Sequence, residues 1–223
     1  MSLETINLIK DRNIAVIKLN RPDLLNAVNE QLVWDFQNAT ESVKDDSTIK
    51  VVIIAGEGRG FCAGADLSER KASWKGSKDA LMRGYKPFFE NIVNMPKPVI
   101  GSISGPAAGI GAAIAMSCDL RIMSEDSYIL SVFSNIALVP DGGLSWYLPK
   151  YMGYSKAYEY AIEAKKITAE ECLKYGIANK VVSSDKLESK TLEWAKKLAK
   201  RSSQSLEHTK KLMRESLAAS YWD

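Results

Sequence analysis

A run of five consecutive apolar residues, VVIIA at Val51–Ala55, constrains the fold more than any other feature of this sequence. A short continuous apolar run is typical of a strand that is buried on both faces, as the strands of a parallel sheet are. Similar runs predict further buried strands at Val99–Ile103 and Leu120–Met123. Patterns with helical periodicity lie between and after these runs, and the alternation predicts an α/β fold with largely parallel strands.

Local signals mark where other elements begin. Asn29 precedes a helical pattern in the manner of an N-cap, and Thr168 with Glu171 forms a capping-box sequence. Periodicity predicts a strand around Ile14–Ile17, a last strand at Val181–Val182, and amphipathic helices over Leu187–Ala199 and Leu206–Ala218. We therefore divide the chain into a core at residues 1–185 and a C-terminal helical segment at residues 186–223.

Composition narrows the possible functions only slightly. The 223 residues carry a formal net charge of +3, which is too weak to indicate nucleic-acid binding and modestly favours an anionic ligand. The N-terminus lacks the features of a secretory signal, and the longest apolar stretch, Ala107–Met116, is too short to span a bilayer. These features predict a cytoplasmic protein without a membrane or nucleic-acid partner.

The three cysteines, Cys62, Cys118 and Cys172, are widely spaced along the chain. Their odd number and their spacing match neither a disulfide framework nor a zinc site. We expect buried thiols in a reducing compartment, and no metal site.

Two classes of enzyme are disfavoured by the residues that their chemistry requires. The pair Gly109 and Gly111 suggests a dinucleotide-binding turn, but the third glycine of that motif is replaced by Ile114. A Ser-His-Asp hydrolase needs a positioned histidine, and the single histidine, His208, lies in a predicted amphipathic helix among lysines. We interpret His208 as a solvated helix position.

Two glycine-rich turns, at residues 61–66 and 105–111, each follow a buried strand and precede a helix. A turn of this kind directs backbone N–H groups into a cleft at the N-terminus of a helix, where the positive end of the helix dipole favours an anion. Two such turns on neighbouring strands can together hold one oxygen atom as an oxyanion hole. Tight packing of the two turns explains the glycines nearly as well, so the residues alone leave both interpretations open.

Asp141 lies in apolar company within the sequence VPDGG at residues 139–143. Its carboxylate could cap the helix that is predicted to begin near Gly142. Alternatively, it could face an apolar cleft, where burial raises the proton affinity of a carboxylate and allows it to act as a base. The sequence alone does not choose between these two roles.

Taken together, these motifs resemble the crotonase family, the enoyl-CoA hydratase/isomerase superfamily. The resemblance covers nearly the whole chain and rests on several motifs in one order: NRPDLLNA at 20–27, GFCAGAD at 60–66, KPVI at 97–100, GPAAGIG at 105–111, AMSCD at 115–119, PDGG at 140–143 and AEECLKYG at 169–176. The resemblance implies a spiral of ββα units with C-terminal helices, assembled as a homotrimer or a dimer of trimers.

The resemblance also implies where an acyl-CoA thioester would bind. The amides of Ala65 and Ile110 would form the oxyanion hole, and Arg21 and Lys71 could meet the phosphates of coenzyme A. The substrate-binding residues implied by position are Arg21, Leu24, Leu25, Cys62, Ala63, Gly64, Asp66, Leu67, Gly109 and Phe133. Coenzyme A would be part of the substrate, so no separate cofactor is expected.

Departures from the family pattern bear on the reaction. Hydratases of this family have two glutamates, which fall here at Ala113 and Phe133, whereas Asp141 is an acid that matches a position used by Δ3,Δ2-enoyl-CoA isomerases. We therefore favour an isomerase that shifts a double bond from 3-enoyl-CoA to 2-enoyl-CoA, with Asp141 as the proton shuttle. The alternatives are an epoxyphenylacetyl-CoA isomerase, a weak hydratase, and a non-catalytic member that binds acyl-CoA or RNA. The C-terminal segment is also short for the family, which leaves the oligomeric state open.

Overall fold

The apolar runs of the sequence form the centre of the sheet. The computed structural model describes residues 3–69, 73–220 and 222. Its strands are β1 (Ile6–Asp11), β2 (Ile14–Leu19), β3 (Val51–Gly56), β4 (Val99–Ile103), β5 (Pro106–Ala108), β6 (Leu120–Ser124), β7 (Tyr128–Leu130), β8 (Lys166–Thr168) and β9 (Lys180–Val182). A six-stranded sheet has the order β1-β2-β3-β4-β6-β9, and a three-stranded sheet has the order β5-β7-β8.

Pairing in the large sheet is parallel from β2 to β9, and the β1–β2 and β7–β8 pairs are antiparallel. From β4 to β7, consecutive strands alternate between the two sheets, with β4 and β6 in the large sheet and β5 and β7 in the small one. Each such pair is followed by helical structure, which produces a spiral of ββα units. The predicted α/β class with largely parallel strands is therefore confirmed.

The described helices differ in whether a side chain caps their first turn. They are α1 (Glu30–Lys44), α2 (Ser77–Asp79), which continues through a π-helical stretch at Ala80–Tyr85, α3 (Lys86–Asn94), α4 (Ile110–Ser117), α5 (Leu144–Met152), α6 (Tyr154–Ile162), α7 (Ala169–Lys174), α8 (Leu187–Ala199) and α9 (Ser203–Glu215). Asn29 caps α1 by accepting a hydrogen bond from the Leu32 amide at 3.0 Å, and Thr168 and Glu171 form the predicted capping box of α7. Among these described helices, no segment is long and apolar enough to cross a membrane.

Strand β3 shows why its sequence is a continuous apolar run. Val52 and Ile54 point into the main core, whereas Val51 and Ile53 point into a second cluster on the opposite face, which α8 covers. Each buried aliphatic side chain contributes roughly 1.5–3 kcal/mol relative to an exposed one. Helix α8 thus packs directly on the large sheet. The division of the chain at residue 185 stays a prediction.

Helix α9 is held in place mainly by charge. None of the side chains of this described helix is fully buried. Instead, Lys210 and Arg214 pair with the Asp119 carboxylate at 2.8 and 2.6 Å, and the same carboxylate accepts a hydrogen bond from the Val99 amide at 2.9 Å. The helix begins at Ser203 rather than at the predicted Leu206, because the Ser202 hydroxyl accepts the Ser205 amide as an N-cap.

Replacing Asp119 should therefore loosen the C-terminal helix. We expect Asp119→Ala to lower the free energy of unfolding by about 2–3 kcal/mol, because it leaves two partly buried cations without their carboxylate. Urea unfolding would measure this change. As a control, Glu215→Ala removes the exposed 3.9 Å pair with Lys211 and should change the free energy of unfolding by less than about 0.5 kcal/mol. Equal effects of the two substitutions would contradict this account.

Candidate functional site

The two glycine-rich turns contact each other through backbone atoms. The Phe61 amide donates to the Ser104 carbonyl at 2.6 Å, and the Cys62 amide donates to the Pro106 carbonyl at 3.0 Å. In return, the Ala108 amide donates to the Cys62 carbonyl at 2.9 Å. Because β3 and β4 are paired neighbours in the sheet, the turns that follow them leave the sheet side by side.

Glycine is required where the turns are closest. A Cβ atom at Gly111 would overlap the carbonyl oxygen of Cys62, and one at Gly64 would lie 3.2 Å from the carbonyl oxygen of Ala108. Gly64 also has a φ of 110°, which disfavours side chains. The glycines therefore set the spacing between the two turns, as the packing interpretation predicted.

The same packing leaves two amides without acceptors. Val28 pairs with the first turn by donating to the Gly64 carbonyl at 2.8 Å and by accepting from the Asp66 amide at 2.9 Å, so the intervening amide of Ala65 faces away from this pairing. Ile110 opens α4, where the first amides of a helix have no intrahelical acceptor. Within the described part of the chain, neither amide donates a hydrogen bond. Both are available to an oxygen atom of a ligand.

Helix α4 amplifies the attraction for negative charge at this point. All eight of its residues are buried, so water screens the positive end of the helix only weakly. The arrangement can stabilise an anionic oxygen, which is what an oxyanion hole requires.

The side chain of Asp141 does not cap a helix. Helix α5 begins at Leu144, its N-cap is Gly143, and no side-chain capping bond is present at this described terminus. Asp141 contributes only its carbonyl, which accepts from the Leu144 amide at 3.0 Å. Of the two roles that the sequence left open, the capping role is wrong.

The Asp141 carboxyl group is instead partly buried, and its Oδ1 atom has no hydrogen-bond partner in the described structure. Burial raises the pKa of this carboxyl to about 6. The neighbouring Gly142 approaches α4 so closely that a Cβ atom there would lie 2.5 Å from the Ala113 Cβ and 3.2 Å from the Ile110 Cδ1. Asp141 thus immediately precedes the glycine that packs on the first turn of α4. Its raised pKa suits a base that acts near neutral pH.

The two positions of the hydratase glutamates are buried and apolar. Ala113 lies inside α4, and Phe133 is 5% exposed at the start of a 3-10 turn. Neither side chain can accept or donate a proton.

Arg21 already has protein partners. Its guanidinium pairs with the Asp66 carboxylate at 2.9 Å and also donates to the Ala27 carbonyl. This ion pair joins the turn at residues 21–27 to the first glycine-rich turn. A contact between Arg21 and phosphate stays a prediction, and it would have to share a cation that Asp66 already neutralises. Lys71, the second predicted phosphate contact, lies outside the described residues.

The remaining predicted binding residues differ in backbone conformation, hydrogen bonding and exposure. Leu25 adopts a left-handed conformation with φ of 49°, and its carbonyl accepts the Ala63 amide at 2.9 Å. Leu24 and Leu67 are exposed, at 51% and 72%, while Cys62 is buried. Gly109 donates its amide to the Leu130 carbonyl at 2.9 Å, so its backbone is fixed by the small sheet.

A cavity of about 430 Å³ opens beside the Asp141 segment. Its lining includes Gly142 and Gly143 together with Tyr85, Phe89 and Tyr147, which the sequence interpretation missed. The aromatic run YKPFF at residues 85–89 could have pointed to this cavity wall. Helical periodicity, however, does not reveal which aromatic residues face a cavity. A larger cavity of about 520 Å³ lies against α9 and is lined by neither glycine. The smaller cavity is the one next to the Asp141 segment, although Asp141, Ala65 and Ile110 are not among its lining residues.

No group of three or more His, Cys, Asp or Glu side chains that could hold a metal ion is found in residues 3–69, 73–220 and 222. The three cysteines are free and buried, as expected.

Known proteins that are similar to this chain indicate its family. The family model described as enoyl-CoA hydratase/isomerase matches residues 10–221. The chain is 32% identical over 193 residues to the 1,2-epoxyphenylacetyl-CoA isomerase of Escherichia coli K12, covering 85% of this chain and 74% of that protein. It is 34% identical over 201 residues to the short-chain-enoyl-CoA hydratase of Clostridium acetobutylicum, covering 89% of this chain and 76% of the relative.

A solved structure gives the same result for the fold. The enoyl-CoA hydratase of Bacillus anthracis superposes with a TM-score of 0.91 at 28% identity, covering 97% of this chain and 85% of the other. The family-model match extends through all of α8 and α9, so the C-terminal helices belong to the shared architecture. With its ββα spiral and its two facing glycine-rich turns, this chain belongs to the enoyl-CoA hydratase/isomerase family, the crotonase superfamily.

Proposed function

We propose that this enzyme moves a double bond in an acyl-CoA thioester, from 3-enoyl-CoA to 2-enoyl-CoA. The observation that carries the proposal is the Asp141 carboxyl group, which is partly buried, lacks a hydrogen-bond partner among the described residues at Oδ1, and has a pKa raised to about 6. The positions where hydratases have glutamates hold Ala113 and Phe133, so a second acid is absent from those two positions. A single carboxylate suffices for a 1,3 proton shift but is poorly suited to activating water and donating a proton at once.

The proposed mechanism uses the two free amides and the one carboxylate. The Ala65 and Ile110 amides donate to the thioester oxygen, and a carboxylate oxygen of Asp141 removes a proton from C2. The electron pair of the broken C–H bond moves onto the thioester oxygen, which gives a dienolate. Protonation at C4 by the Asp141 carboxyl then leaves the double bond between C2 and C3 and restores the carboxylate.

The coenzyme A portion would lie along the turns that surround this centre. We assign it to the turn that contains Arg21, Leu24 and Leu25 and to the backbone of the first glycine-rich turn. The other proposed contacts are Cys62, Ala63, Gly64, Asp66, Leu67, Gly109 and Phe133. Coenzyme A enters and leaves as part of the thioester, so the reaction needs no separate cofactor.

The substitution Asp141→Asn tests the role of the base. We expect isomerisation of 3-enoyl-CoA to fall at least about 100-fold, because an amide cannot accept the C2 proton. Binding of a saturated acyl-CoA should be nearly unchanged, since the amide has the same size. Spectrophotometry of the conjugated product and calorimetry of binding measure the two effects separately.

The matched control is Asp126→Asn, which changes an exposed carboxylate bonded to Ser184 on the surface. It should leave the rate at the wild-type value. Full isomerase activity in the Asp141→Asn variant would overturn the proposed role.

The raised pKa predicts how the rate depends on pH. Only the ionised carboxylate can remove a proton, and its fraction increases as the pH rises through about 6. We therefore expect kcat/KM to level off above pH 7 and to fall about tenfold for each pH unit below 6. Rates measured from pH 4.5 to 8, on protein shown by circular dichroism to stay folded, would check this. A flat profile between pH 5 and 7 would contradict Asp141 as the base.

The substitution Gly111→Ala tests the two-amide arrangement. The added methyl group overlaps the Cys62 carbonyl, so the first turn must move and carry the Ala65 amide away from Ile110. Losing one oxyanion donor should lower kcat about 100- to 1,000-fold, and overpacking should lower the free energy of unfolding by about 1–3 kcal/mol. Single-turnover rates and urea unfolding measure the two effects.

The control for this variant is Gly153→Ala. Gly153 has a φ of 75° and nothing within 4 Å of an added Cβ, so its substitution introduces backbone strain without displacing the site. It should lower the free energy of unfolding by about 1–2 kcal/mol and leave kcat unchanged. A wild-type kcat in Gly111→Ala would argue against an oxyanion hole that spans the two turns.

A second candidate activity is isomerisation of an epoxyphenylacetyl-CoA. The aromatic residues Tyr85, Phe89 and Tyr147 around the cavity favour it, since they can pack on a phenyl ring. The 32% identity to an enzyme of that name supports it as well. Incubation with 3-enoyl-CoA, 2-enoyl-CoA and epoxyphenylacetyl-CoA, followed by product analysis, distinguishes the two activities from residual hydration.

We also propose that the chain assembles as a homotrimer or a dimer of trimers. Large apolar side chains are exposed together around α5 and α6, where they line a further surface cavity: Leu138, Val139, Tyr154, Tyr158 and Ile162. Exposed apolar patches of this kind are typical of protein interfaces.

A further inference from the structure

Tyr85 lies on the wall of the cavity that faces the Asp141 segment. It is the last residue of the π-helical stretch at Ala80–Tyr85, immediately before α3. A π-helical turn contains one residue more than an α-helical turn, and such turns occur often at functional sites. The preceding Gly84 is buried against Trp74, where an added Cβ would lie 3.0 Å from the indole ring. The backbone that carries Tyr85 is thus fixed by packing on its other side.

The hydroxyl group of Tyr85 is a neutral donor. Burial raises the pKa of Tyr85 to about 12, and the negative charge of Asp141 adds to this increase. Burial, together with this negative charge, therefore keeps the phenol protonated at every pH where the enzyme would work. Tyr85 and Asp141 lie close enough to interact electrostatically, yet no hydrogen bond joins them in the described structure.

The donor and the acceptor both lack partners. Among the hydrogen bonds of the described residues, none involves the Tyr85 hydroxyl, and Oδ1 of Asp141 has no partner either. Much of the surrounding cavity wall is apolar and includes Leu81, Phe89 and Val93. A tyrosine hydroxyl in such surroundings normally finds an oxygen atom to bond, and here that atom has to come from water or from a ligand.

We propose that the Tyr85 hydroxyl donates a hydrogen bond to an oxygen atom of the acyl chain, and that the enzyme therefore prefers acyl-CoA thioesters whose acyl chain carries an oxygen beyond the thioester group. The inference rests on the proposed function, because it takes this cavity as the acyl site. Tyr85 selects the substrate and positions it, while the proton transfer stays with Asp141. An acyl chain without such an oxygen would leave the hydroxyl unpaired, which costs binding.

Unreactive thioesters of equal length test this preference. Pentanoyl-CoA has only methylene groups in its chain, whereas ethoxyacetyl-CoA and 3-methoxypropanoyl-CoA replace the methylene at position 3 or 4 with an ether oxygen. Calorimetry gives the ratio of the dissociation constants of pentanoyl-CoA and each ether. The ratio is the dissociation constant of pentanoyl-CoA divided by that of the ether, so a preference for the ether makes it larger than one. We expect this ratio to fall about 3- to 10-fold in Tyr85→Phe for at least one ether, since the variant loses only the hydroxyl.

The matched control is Tyr147→Phe. Tyr147 lines the same cavity, and its side chain also lies near the guanidinium of Arg214. This variant should change the affinities for the ether and the pentanoyl thioester alike, so that the ratio stays at the wild-type value. If Tyr85→Phe does not fold, Tyr85→Leu should show the same fall in the ratio, because it also lacks the hydroxyl.

The outcomes separate this inference from the proposed reaction. A ratio that is the same in wild type and Tyr85→Phe for both ethers would overturn the role of Tyr85. Discrimination in binding without any isomerisation would overturn the proposed reaction and leave the inference standing. If none of the three thioesters binds, the acyl-CoA site itself is wrong, and the inference fails with it.

Discussion

The backbone contact between the two glycine-rich turns is the constraint on which the candidate site depends. Burial of the apolar run in β3 fixes its parallel pairing with β4, and this pairing brings the following turns together. At Gly111 the Cys62 carbonyl occupies the space where a side chain would be. The contact between Gly111 and Cys62 therefore limits how far apart the turns that carry the Ala65 and Ile110 amides can lie. A site built from backbone groups on a rigid sheet is preorganised before any ligand binds.

The same burial that makes Asp141 a candidate base makes it unfavourable for the folded protein. A carboxylate that loses water and gains no hydrogen bond at Oδ1 is less stable as an anion, and its pKa rises accordingly. The loop that carries it also needs left-handed backbone at Gly142 and Gly143. Packing of Gly142 on α4 holds this arrangement in place. An unpaired, partly buried carboxylate with a raised pKa is typical of a site maintained for function.

Much of the fold follows from local rules that the sequence displays. The run at Val51–Ala55 predicts a strand covered on both faces, and the structure places a core on each side of it. The caps at Asn29 and Thr168 are found where they were predicted, because a capping bond involves only residues close in the chain. The start of α9 was misplaced by three residues, since hydrophobic periodicity outweighed the cap at Ser202.

The sequence by itself determined the α/β class, the family and the candidate centre, because buried strands, capped helices and ordered glycine motifs are properties of short segments. Only the tertiary structure decided that the Asp141 side chain is partly buried without capping a helix, and that Arg21 is paired with Asp66. It alone placed Tyr85 in the wall of the cavity that Gly142 and Gly143 also line. These relations join residues 45 or more positions apart, and their geometry depends on how β3, β4 and the surrounding helices pack. Contacts between distant segments leave no periodic pattern in the sequence that could predict them.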